Sequence, residues 1–102
     1  MSHIWYCCRV VDAAPLQNRI NGAHFRTGQY AYCSQVDEAS WLLFDGRRYA
    51  AVVSTDQAKE ALQTQRDRQG LRVRAPAATE RRYQRAIYGQ TGRLTRRGRR
   101  FV

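Results

Sequence analysis

Apolar and polar positions alternate along this chain in short runs bounded by turn residues, a period that predicts strands more often than helices. His3 to Asp12 (HIWYCCRVVD) is rich in β-branched and aromatic residues and apolar on both faces except at Arg9, so it reads as a central strand. Ala13 to Gly22 (AAPLQNRING) carries Pro15 and the Asn21-Gly22 pair and reads as a loop. Phe25 to Gln35 (FRTGQYAYCSQ) returns as a second strand, with Tyr30, Tyr32 and Ser34 on one face and Ala31, Cys33 and Gln35 on the other; Gly28 marks a bulge.

The strongest local signal follows. Trp41 to Phe44 and Arg47 to Ser54 flank Asp45-Gly46, a dipeptide that supplies two positive φ angles and so predicts a hairpin with a type I′ turn. A competing reading makes Asp37 to Phe44 a short helix capped by Ser34 or Asp37. Ser54 then offers an N-cap with Gln57 at the third helical position, and no proline or glycine interrupts Thr55 to Gln69 before Gly70. That spacing predicts a helix whose apolar stripe, Ala58, Ala61 and Leu62, is narrow. Leu71 to Ala75 (LRVRA) alternates as a strand does when one face is buried, with Arg72 and Arg74 on the outer face. After Pro76, Thr79 can cap a helix from Glu80 to Tyr88, with Tyr83, Ala86 and Ile87 at helical spacing and Gly89 as its stop. Gln90 to Val102 has little to bury and is expected to be disordered by itself.

The pattern as a whole predicts an α+β fold: a single small domain, mostly an antiparallel sheet of four to five strands with one or two helices and a basic C-terminal arm. The expected division is an α+β body over 1–75, then a basic helix and a flexible arginine-rich tail over 76–102. With 102 residues, 43% of them hydrophobic and 11% aromatic, the chain can build one core but not two domains.

Charge changes the picture, because it is divided so unevenly. Leu71 to Val102 holds ten arginines against one acid, Glu80, whereas Met1 to Gly70 holds eight basic residues against seven acids, so +9 of the net +10 lies in the last third. Such an arm wants a polyanion. Guanidinium grips phosphate bidentately and stacks on bases, and all of the basic residues but Lys59 are arginine. The candidate nucleic-acid contacts are Arg72, Arg74, Arg81, Arg82, Arg85, Arg93, Arg96, Arg97, Arg99 and Arg100, a helix followed by an arm that tracks phosphates. Arg97-Gly98-Arg99 resembles the core of a minor-groove hook without its flanking proline. Trp5, Tyr6, Tyr30 and Tyr32 fall on strands expected to be neighbours, where aromatics either form core or offer stacking platforms to unpaired bases.

Other chemistries find less support. Cys7, Cys8, Cys33, His3 and His24 are ligand types for zinc, but no Cys-x-x-Cys pair occurs and adjacent strand residues Cys7 and Cys8 point apart, so the thiols read as structural and reduced. His24 with Asp37, Glu38, a tyrosine or an arginine could serve acid–base cleavage of RNA, yet the chain has no nucleophile elbow, phosphate loop or paired-carboxylate spacing. No apolar run reaches the roughly 18 residues of a membrane span, and the N-terminus lacks a basic signal region, so the expected compartment is the cytoplasm. The expected function is that of a non-enzymatic, cofactor-free accessory or regulatory protein that binds DNA or RNA through its arm. The alternatives are an interaction protein, an inhibitor or assembly component docking that arm on a larger nucleoprotein complex, and a small toxin-like ribonuclease. Self-association is left open.

Overall fold

The computed structural model describes residues 2–16, 25–64 and 73–96, and shows a five-stranded, curled antiparallel sheet with two helices, an α+β fold. Strand β1 (Tyr6–Val10), β2 (Tyr30–Gln35), β3 (Ser40–Phe44) and β4 (Ala50–Ser54) form a meander. Helix α1 (Thr55–Ala61) then carries the chain back across the sheet to β5 (Leu62–Thr64) at the opposite edge, giving the order β4-β3-β2-β1-β5. Helix α2 (Ala78–Arg96) closes the described chain.

Strand alternation sorts the residues into two cores, one on each face of the sheet. Cys8, Val10, Ala31, Cys33, Leu43, Ala51 and Val53 point to the first face, where Ala58 and Ala61 of α1 and Leu16 of a short 3-10 turn (Ala14–Leu16) cover them. Trp5, Leu42, Phe44 and Ala50 point to the second, where Tyr83, Ala86 and Ile87 of α2 cover part of it. The apolar character of β1 on both faces follows from this sandwiching.

The hairpin joining β3 to β4 forms with Phe44 opposite Ala50, and the short-helix reading of Asp37 to Phe44 is set aside. Its turn differs from the expected one. Gly46 has φ 88°, but no described non-glycine residue has a positive φ, so Asp45 cannot take the first position of a type I′ turn. Instead Asp45 organises a five-residue loop. Its Oδ1 accepts from the backbone N–H groups of Arg47, Arg48 and Tyr49 at 2.7, 3.0 and 3.1 Å, and its own N–H donates to the Tyr49 carbonyl at 3.0 Å. At Gly28, φ 97°, the expected bulge is present in its bonding: the Gly28 N–H donates to the Val10 carbonyl and the Val10 N–H to Gln29, two residues against one.

Helix α1 starts where the sequence places it. The Ser54 side chain accepts from the Gln57 N–H at 3.1 Å, and the Gln57 side chain accepts from the Ser54 N–H at 2.9 Å. It ends far earlier than Gln69, because Leu62 turns to extended geometry and Leu62 to Thr64 pair with Val10 to Cys8. The backbone groups on the outer edge of β1 need partners, and strand pairing there outweighs continued helix. Along the same edge the chain returns as Val73 to Ala75. Cys7 donates to the Val73 carbonyl and Ala75 to that of Trp5, with Tyr6 opposite Arg74. Helix α2 begins at Ala78, so Thr79 lies inside the first turn rather than capping it; the residue is fully buried. Gly89 does not stop the helix, which runs on to Arg96; a helical glycine costs about 1 kcal/mol against alanine and ends a helix only when it turns left-handed. Among the described residues no helix is long and apolar enough to cross a membrane.

Candidate nucleic-acid interface

Helix α2 is held to the sheet by the one acid of its charge-rich segment. Glu80 Oε1 accepts from the Trp5 indole N–H at 2.8 Å, the His3 backbone N–H at 3.0 Å and His3 Nδ1 at 3.3 Å, while Oε2 accepts from Gln84 at 2.7 Å. Burial by itself would push this carboxyl up. The hydrogen bonds from Gln84, Trp5 and His3 outweigh burial and hold it at about 2. Beneath the carboxylate, Tyr83 packs against Trp5, Phe44 and His3 with ring centroids 5.0, 5.6 and 5.2 Å apart. Burial, and next the Glu80 charge, raise the Tyr83 phenol, which stays protonated.

Fixing α2 in this way determines which of its arginines face outward. Arg81 and Arg85 are exposed, and neither pairs with a carboxylate among the described residues. Arg82 turns inward, donates to Thr79 Oγ1 at 3.3 Å and lies 5.9 Å over the Tyr32 ring. Arg74 is exposed on the sheet edge and lines a groove of about 290 Å³ with His3, Trp5 and Glu80. Arg93 and Arg96 belong to the last turns of α2. Arg72, Arg97, Arg99 and Arg100 lie outside the described residues, as does His24.

Because α2 covers only part of the second sheet face, the remainder is open. It forms a cleft of about 650 Å³, with Cys7, Tyr30 and Tyr32 as its floor and Arg82, Val73 and the turn Asp45 to Arg47 as its walls. Tyr30 is 66% exposed. The register sets Arg9 opposite Tyr30, and its guanidinium lies 6.0 Å over that ring. Arg47 stands at the rim. The only carboxylate lining the cleft among the described residues is Asp45, whose Oδ1 is committed to three amides of its own turn. The four aromatics proposed as a platform therefore divide: Trp5 is 4% exposed and is core, Tyr6 packs on the opposite face, and Tyr30 and Tyr32 remain in the cleft.

Arg9 is not among the sequence-predicted contacts, which follow the charge into the C-terminal third. The signal for Arg9 was its strand parity, since it shares a face with Cys7 and not with the buried Cys8 and Val10. The thiols offer little chemistry. Burial, and then proximity to Cys33, raise Cys7; a hydrogen bond with Cys33, burial and neighbouring thiols raise Cys8 much further. All three cysteines are free thiols, and among the described residues no three histidine, cysteine or acidic side chains converge to hold a metal ion.

Compared with protein-family models, with curated proteins and with solved structures, the chain matches none.

Proposed function

We propose that this chain is a small, basic, non-enzymatic nucleic-acid-binding protein with an accessory or regulatory role, acting through the arginines of α2 and of the segment after it. One observation carries the reading: the sole acid of the basic third, Glu80, is consumed in fastening α2 to the body, so Arg81 and Arg85 are presented outward without an internal counter-charge among the described residues. A rigid helix with free guanidinium groups meets phosphates without the entropic cost of ordering a coil. The second reading, a protein that docks this arm on a nucleoprotein complex, draws on Tyr88, which is 78% exposed on the same helix and would serve as an apolar anchor.

The test is the salt dependence of binding to duplex and single-stranded oligonucleotides. Cutting the chain near Ala75 would bare the second core, so charge should be removed by substitution. With Arg81→Gln and Arg85→Gln together, the slope of log K against log salt on duplex should shrink by about 0.9 for each lost phosphate contact. An unchanged slope would remove these residues from the interface, and absence of binding to any nucleic acid would refute the reading.

A further inference from the structure

The cleft beside α2 has properties that a phosphate-tracking helix does not need. Its floor carries two tyrosines at alternate positions of one strand, whose Cα atoms lie roughly 7 Å apart and whose side chains share one face. Each ring has its own guanidinium, Arg9 over Tyr30 and Arg82 over Tyr32, and Arg47 stands at the rim. Tyr30 stays two-thirds exposed on β2, the middle strand of the sheet, although the second core lies on the same face.

We propose that this cleft is a stacking site for unpaired bases, so that the nucleic acid bound by the protein is single-stranded. The inference rests on the nucleic-acid reading above and names the class of ligand. Flat apolar rings bordered by guanidinium groups match the chemistry of an unpaired nucleotide: the base stacks on the ring or on the guanidinium plane, and a neighbouring phosphate meets the charge. Duplex bases are stacked on one another and show only their edges. They cannot reach the tyrosines between α2 and the β3–β4 turn. The arginines that border the rings continue into the outward arginines of α2, Arg81 and Arg85, so one strand can leave the cleft along a positively charged helix.

The experiment is fluorescence polarisation with labelled oligo-dT and oligo-rU of about 15 nucleotides and a duplex of equal length, using the whole chain. Tyr30 is chosen because its exposure makes substitution harmless to folding, which circular dichroism verifies. Tyr30→Ala should weaken single-strand binding roughly 5- to 100-fold while leaving duplex affinity and the salt slope unchanged. Tyr30→Phe should retain wild-type affinity, since stacking needs the ring and not the hydroxyl. A loss on either single strand supports the proposal. Equal binding of single strand by Tyr30→Ala and the wild type overturns the stacking site but spares the arginine reading. If no oligonucleotide binds the wild type, the arginine reading itself has failed.

Discussion

Glu80 offers the sharpest test of how the helix is attached to the sheet. A carboxyl held at about 2, against an ordinary value of 4.5, is stabilised by the folded state by at most about 3 kcal/mol. Its side chain is 18% exposed, and screening by that solvent reduces the expectation to about 2 kcal/mol. The same magnitude comes from the donors: Glu80→Ala leaves the buried Trp5 indole N–H without its acceptor, a loss of about 1–3 kcal/mol. Glu80→Gln keeps an acceptor for Trp5 but loses the charge, and should cost less, about 1 kcal/mol. Because the folded-state value lies below the unfolded one, the folded protein binds fewer protons; the contribution is complete above about 4.5 and disappears as pH falls through about 2. Urea unfolding at neutral pH should therefore show the wild type more stable than Glu80→Ala by about 2 kcal/mol, with the gap closing as the acid window is crossed. Amide exchange at Tyr83 to Ile87 should speed up in the variant at neutral pH. The reasoning fails if Glu80→Ala unfolds within experimental error of the wild type, or if the gap persists unchanged at the acid end.

Two further predictions concern backbone geometry. Gly46 and Gly28 both have positive φ, but a Cβ on Gly46 would also meet the Tyr32 ring at 3.0 Å, whereas one on Gly28 would meet nothing within 4 Å. Gly46→Ala should therefore cost more than Gly28→Ala, about 2 kcal/mol against about 1, and equal losses in urea unfolding would count against the close approach to Tyr32. Ser54→Ala removes one half of a reciprocal cap and should destabilise by about 1 kcal/mol, while a change in a freely exposed serine would leave the midpoint in place.

What could be read from sequence lay within a few residues of itself. Ser54 and Gln57 share one helical turn, Asp45-Gly46 turns one strand back upon the next, and the alternation in β1 to β4 needs only the pleat of each strand, so these features follow from local chemistry. Where local and long-range demands disagreed, the long-range ones prevailed. Leu62 to Thr64 left the helix because β1 had an edge to fill. The Asp45 turn is a different case, decided locally: its carboxylate satisfies three amides two to four residues on, which the Asp-Gly dipeptide by itself does not show. The same limit separates the two parts of the candidate interface. The concentration of arginine after Gly70 is a property of composition, visible without a fold. The pairing of Arg9 with Tyr30 and of Arg82 with Tyr32 joins residues 21 and 50 positions apart in sequence, and the burial of Trp5 while Tyr30 stays open depends on how far α2 extends over the second face. Only tertiary packing decides that coverage, because it is set by Glu80 reaching His3 and Trp5 across most of the chain.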